Sequence, residues 1–357
     1  MDDVTGESVS STLKKIVNAL KKAVKSNHSY DAVTTSISRI DKTVVYHRGK
    51  LANIDGIIIY FAKYKLFYFE NASRQGTLTK LQKSLNDKSC PPPFYLVGEG
   101  WFSDEFYGLD TQIDFEELIF SIFSPLTMAT IYNQLVCEST ILSKHKSTIF
   151  ETMETYWLGM DYVSTDSLVS VMESALRDLI HDSGKERPSL KFQNHIRSLA
   201  IDRVSSQFDK LYEFHWYPFK CSNFDYAINN RGSEEELNLW VLLDHTMDAL
   251  NAFLIWFSDV LYKEYDTSSE EFTLNRHNIF HGFSCRKAVP VHYPLMLWSL
   301  LSLIYMESLF LKPRSCFMPA ASEQDKELEK YFSTLIDNMA GKRRKIAKKF
   351  GVNYKLI

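Results

Sequence analysis

A chain of 357 residues that is 45% hydrophobic and 14% aromatic has ample material for a core, which argues against a disordered protein; its length favours two domains. The net charge of −3 does not imply whole-molecule attraction to nucleic acid, so any such binding must come from a local patch. Five cysteines (Cys90, Cys137, Cys221, Cys285 and Cys316), with no C-x-x-C pair, argue against a disulfide framework or a cysteine-rich zinc site and point to a reducing cytoplasm.

The first segment, "MDDVTGESVSS", is acidic and polar and does not read as a secretory signal. Ser11 to Lys25 alternate apolar and lysine positions with helical period, which predicts an amphipathic helix with a basic face of Lys14, Lys15, Lys21, Lys22 and Lys25. The stretch "KTVVYHRGKLANIDGIIIYFAKYKLFYFEN" is rich in β-branched and aromatic residues and fits either a hairpin or a buried helix. Its aromatic run from Tyr60 to Phe69 reads as core. Three prolines, Pro91 to Pro93, stop any helix there. Apolar helices are expected at about 115–143 and 164–181, followed by a break at Gly184 and Pro188.

The clearest boundary lies at "NNRGSEEE", where Gly232 stops one element and Ser233 with Glu236 forms a capping box. This divides the chain into residues 1–225, a mostly helical region without an assigned role, and 226–357. From Ser233, apolar residues recur at Leu239, Leu243, Met247, Leu250, Leu254, Phe257 and Leu261, the stripe of a helix of about 25–30 residues. Its other side carries Asp244, His245, Asp248 and Asn251.

A second capping box, Ser268 and Glu271, predicts a short helix from about Ser269 to His281, ended by Gly282. Leu295 to Leu311 gives a third helix. It falls short of the ~20 residues a bilayer needs, carries Glu307, and reads as buried in protein. A fourth runs through "SEQDKELEKYFSTLIDNMAGKRRKIAKKF" with a possible break at Gly341. The fold class is therefore mainly α, with a C-terminal four-helix-type bundle behind a larger, mostly helical N-terminal region.

The short helix ends in "RHNIFHG". At about 100° per residue, His277 and His281 share a helical face, whereas Arg276 stands about 140° from His281. Histidine exchanges protons near neutral pH, and arginine grips phosphate oxygens with paired hydrogen bonds. Metal-free RNA cleavage needs these abilities: a base for the 2′-OH, an acid for the leaving 5′-oxygen, and a cation for the phosphorane.

Arginine, a polar residue, three more residues and histidine resemble the HEPN motif, commonly written R-x4-6-H. The resemblance covers about Ser233 to Ile357. It implies a helical domain that dimerises and joins two motifs in one cleft, and it implies metal-independent endoribonuclease activity without a cofactor. It also associates the chain with bacterial toxin–antitoxin or anti-phage systems, with RNA as substrate and an antitoxin or defence-system partner, in the cytoplasm and away from any membrane. Some members only bind nucleotides or proteins. By this resemblance His281 is the main acid–base residue, Arg276 holds or stabilises the scissile phosphate, and His277 orients the site or shares the proton work. Asp244 and Asp248 are the candidate acidic residues from the preceding helix.

Other readings of the same residues stay open. "RHNIFHG" could be a helix C-terminus whose cations complement the dipole. His277 and His281 have the spacing of a metal-binding pair, with Cys285 or His292 as a third ligand. Asp244 and Asp248 could lie on a solvated face. Lys342, Arg343, Arg344 and Lys345, within "GKRRKIAKKF", could hold RNA by counterion release or be an ordinary solvated helix end.

Overall fold

The computed structural model describes residues 49–54, 57–62, 77–95, 112–189, 191–207, 245–263, 274–281, 290–315 and 317–351, with scattered residues at 15, 18, 19, 22, 26, 35, 36, 39, 40, 232–234, 237, 238 and 241. The fold is mainly α, as expected. The chain forms two compact units, one of residues 1–77 and 200–248, the other of 78–199 and 249–357.

In the first unit the described part of the ambiguous β-branched stretch is a pair of strands. Strands β1 (Gly49–Ile54) and β2 (Ile57–Ala62) pair antiparallel, with Ile54 opposite Ile57. β-Branched residues fit a pleated strand better than a helix, and Ile57, Ile58 and Ile59 carry that preference here. Lys15, Asn18, Ala19 and Lys22 are helical, in keeping with the expected N-terminal helix, whose other residues lie outside those described. The same holds for the Ser233–Glu236 box at Glu236, for most of the Tyr60–Phe69 run and for the Ser268–Glu271 box.

The second unit is a helical assembly. In chain order it contains α1 (Thr77–Asn86), α2 (Gln112–Ile122) and α3 (Pro125–Thr130), which runs on into a π-turn at Ile131–Val136. Then follow α4 (Lys146–Trp157), α5 (Asp161–Asp182), the first half of α6 (Phe192–Gln207) and most of α7 (His245–Trp256), which ends in a π-turn at Phe257–Leu261. The last helices are α8 (Arg276–His281), α9 (His292–Phe310), α10 (Glu323–Thr334) with its π-turn Leu335–Ala340, and α11 (Gly341–Lys349).

Helix α9 is apolar on all sides, so it has no face to offer water and must be surrounded. It is long and apolar enough to cross a membrane by composition, yet Leu295 to Ile304 are buried within the protein. It packs on α5. Tyr293 stacks on Tyr156 of α4 at 4.4 Å, and the Trp298 indole donates to the Phe94 carbonyl at 3.1 Å. Its lone acid, Glu307, is fully buried. It accepts from Ser139 Oγ at 2.5 Å and from the Thr140 N–H at 2.8 Å, satisfying the turn after α3.

The compact units divide the chain differently from the expected 1–225 and 226–357. Helices α4 and α5 belong with α9 to α11. Gly232 takes φ +75° and Leu237 N–H bonds back to Ser233 O, so a helix does begin there. A local stop signal, however, carries no information about which helices pack together. The expected break after α5 is real. Gly184 at φ +85° closes a Schellman motif, with Gly184 N–H on His181 O and Lys185 N–H on Ile180 O. Gly341, by contrast, is helical (φ −62°, ψ −41°), and the chain passes from α10 to α11 through the π-turn without a break.

Candidate active site

The motif helix α8 begins where the sequence pattern has it ending. Leu274 and Asn275 are not helical, so no helix runs continuously from Ser269 to His281. Asn275 is the start. Its Oδ1 accepts the His277 N–H at 2.8 Å, the side-chain cap of a helix N-terminus. Its Nδ2 donates to Lys263 O at 2.8 Å and Val260 O at 3.3 Å, tying the cap to the end of the long α7 segment. Arg276 and His277 therefore occupy the first turn, where the helix dipole disfavours positive charge. The alternative in which the motif's cations complement a helix C-terminus fails for these two residues.

Arg276 needs another source of stabilisation, and α5 supplies it. Its Nε donates to Oε1 of Glu173, which also accepts the Tyr262 hydroxyl at 2.7 Å. Arg177, one turn beyond Glu173, places Nη2 3.4 Å from Oε2. Burial pushes the Glu173 carboxyl up. The hydrogen bonds from Tyr262 and Arg276 and the charges of Arg276 and Arg177 outweigh it and hold the group below the ordinary glutamate range. Each guanidinium also lies over a ring, Arg276 at 5.4 Å from Tyr262 and Arg177 at 5.1 Å from Phe192. Tyr262 is itself stacked on Phe257 at 4.3 Å.

A second contact fixes the motif helix to α5. The Tyr162 hydroxyl donates to the Ile279 carbonyl at 2.8 Å. Tyr162 and its neighbour Val163 are both about half exposed, so apolar surface borders the motif. His277 is half-buried, and His281 takes the last position of α8, one turn beyond it.

Of the two expected acidic partners, only Asp248 is among the described residues. Asp244 lies outside the described residues, and Asp248 belongs to the first unit. Asp248 is buried, not on a solvated face. Asn251, from the same side of the helix, donates to Thr79 Oγ1 of α1 at 3.0 Å. That side is packed because α7 is apolar nearly all round, from Ala249 and Leu250 through Phe253 and Trp256. The acid beside Arg276 is Glu173. The sequence did carry a signal for it: an acid inside the apolar pattern Val169, Met172, Leu176, with Arg177 at i+4.

The basic run divides in two. Arg343 Nη1 donates to the Gly159 and Leu158 carbonyls at 3.1 and 3.3 Å, and the Arg344 guanidinium lies against Gly159. These two arginines clasp the corner between α4 and α5. Lys342 and Lys345 are exposed on α11 with Lys348 and Lys349. Among the described residues no group of three His, Cys, Asp or Glu side chains is placed to hold a metal ion; His292 is buried at the start of α9, and Cys285 is outside those residues.

No family model matches this chain, and no curated protein and no solved structure matches it either.

Proposed function

We propose that this protein is a metal-independent endoribonuclease of HEPN type, acting as a dimer in a bacterial toxin–antitoxin or anti-phage setting. The observation that carries the reading is the state of Arg276. It stands at the head of a capped helical turn, gripped by Glu173 and backed by Tyr262, with His277 beside it and His281 one turn on. A cation held in place before substrate arrives loses little freedom when it meets a phosphate.

In the reaction, a histidine takes the proton from the 2′-OH as its oxygen attacks phosphorus. The 5′-oxygen leaves with a proton from a second histidine, and the products are a 2′,3′-cyclic phosphate and a free 5′-hydroxyl. His281 is assigned the main acid–base role, His277 orients the site or shares the proton, and Arg276 stabilises the charge on phosphorus. The exposed Tyr162 and Val163 beside the motif suit the apolar contact by which a second copy brings its own histidines to the cleft.

The test is incubation of the full chain with transfer RNA and total RNA in EDTA. Cleavage that persists under chelation, leaves cyclic phosphate ends and disappears in His281→Ala is expected. Loss of cleavage in EDTA sinks the metal-independent mechanism. The Arg276–Glu173 pair also favours a second reading, a non-catalytic module that binds a nucleotide or a partner, because a guanidinium engaged inside its own domain need not act on substrate. Absence of cleavage with nucleotide binding intact is the result that reading expects.

A further inference from the structure

Two guanidiniums from different helices converge on one carboxylate, and only one of them belongs to the motif. Arg276 of α8 bonds Oε1 of Glu173, and Arg177 of α5 faces Oε2 at 3.4 Å. A carboxylate with one arginine on each oxygen has the same shape of charge as a phosphodiester with its two non-bridging oxygens. Among the described residues this cluster sets two guanidiniums against one carboxylate, and paired guanidiniums are the arrangement that grips a phosphate. The arginine side chains are 22% and 30% exposed and Glu173 only 11%, so an incoming anion meets the cations first.

We propose that Arg177 is the second phosphate-binding residue of this site, paired with Arg276, and that Glu173 is an internal anion with which the RNA backbone competes. The proposal rests on the ribonuclease reading for the nature of the anion. The aromatic backing gives it a geometric basis. Tyr262 and Phe192 each back one guanidinium, and the two rings meet edge to face at 6.1 Å, so the cations rest on adjoining rings set nearly at right angles. Those rings limit the cations' movement when the anion they grip is exchanged.

A purely structural salt bridge between α5 and α8 makes the opposite prediction for one variant. If Glu173 only holds the fold together, Glu173→Gln weakens every property of the site. If Glu173 competes with phosphate, the same change strengthens anion binding. Glutamine keeps an acceptor for Tyr262 and nearly the same shape, so the two outcomes separate cleanly.

The experiment measures binding of a 2′-O-methyl RNA oligonucleotide, which lacks the 2′-OH needed for cleavage, by fluorescence anisotropy over a range of salt. Wild type, Glu173→Gln and Arg177→Gln are compared as full chains, each with an unfolding curve to establish that it is folded. Glu173→Gln is expected to bind about tenfold tighter. Arg177→Gln is expected to bind about tenfold weaker, with the salt slope reduced by about one. Wild-type affinity and slope in Arg177→Gln, equal or weaker binding by folded Glu173→Gln, or no binding by wild type overturns the proposal. Cleavage of ordinary RNA in EDTA is scored separately. Cleavage with unaltered binding by Arg177→Gln sinks the two-arginine seat alone, and the expected binding pattern without cleavage sinks the catalytic reading alone.

Discussion

Asn275 caps the motif helix on His277 and, through the other end of the same amide, holds the helix to the Lys263 carbonyl. One side chain thus sets both where the turn begins and where it lies. Asn275→Ala removes the cap, worth about 1 kcal/mol, and takes a donor from two carbonyls at about 1 kcal/mol each. A loss of about 2–3 kcal/mol in a urea titration with unchanged m-value is expected. Asn275→Asp keeps the acceptor but cannot donate, and should fall between the two.

Glu307 is the acid that the apolar helix α9 hides completely. Besides Ser139 and Thr140 it has the Arg314 Nε at 3.5 Å. Glu307→Leu strands a buried hydroxyl, a backbone N–H and a cation, so a cost of about 3–5 kcal/mol is expected. Glu307→Gln keeps one acceptor and should cost less. Equal stability of wild type and the leucine variant would show that the carboxylate contributes nothing net.

Gly159 has φ +74° and completes the Schellman motif at the end of α4, with Met160 N–H on Thr155 O and its own N–H on Tyr156 O. A Cβ there would meet Arg344 Nε at 3.1 Å. Gly159→Ala should cost about 1–2 kcal/mol from the left-handed backbone alone. It should also loosen α11, seen as faster amide exchange at residues 341–349 than elsewhere in the unit.

Asp161, at the start of α5, gives a pH signature. Burial raises its carboxyl from the ordinary 3.8 to about 6, against the opposing pull of Arg344, its own backbone and Arg343. The folded protein therefore holds this proton more tightly than the unfolded chain does. Stability from this group falls as pH rises from about 4 to about 6, by roughly 3 kcal/mol at most, and the cost persists above that range. Asp161→Asn removes the titration. The stability difference between wild type and this variant should change between pH 4 and 6 and stay flat above. A flat difference throughout would mean that Asp161 titrates normally.

Much of the second unit's local structure was legible in the residues. The all-apolar run of α9, the glycine stop at Gly184 and the core stripe Leu250, Leu254, Phe257 and Leu261 follow from side-chain chemistry within one element. What was not legible depends on partners distant in sequence. The pairing of α5 with α9 and the meeting of Glu173 with Arg276 join segments that no periodicity relates. The start of α8 was hidden for a different reason: asparagine is a good cap by type, but the Ser268–Glu271 spacing pointed to an earlier start, and the tether of Asn275 to Lys263 and Val260 is not written in the local pattern. Gly341 read as a break because glycine is unfavourable inside a helix, but the π-turn before it carries the chain through.

The encirclement of α9 has a consequence during synthesis. Its companions α4 and α5 leave the ribosome long before it does, with apolar flanks that α9 helps to cover in the folded unit. Until His292–Phe310 emerges, those flanks are exposed to chaperones and to other nascent chains. Maturation of this unit is therefore paced by the arrival of its most water-averse segment.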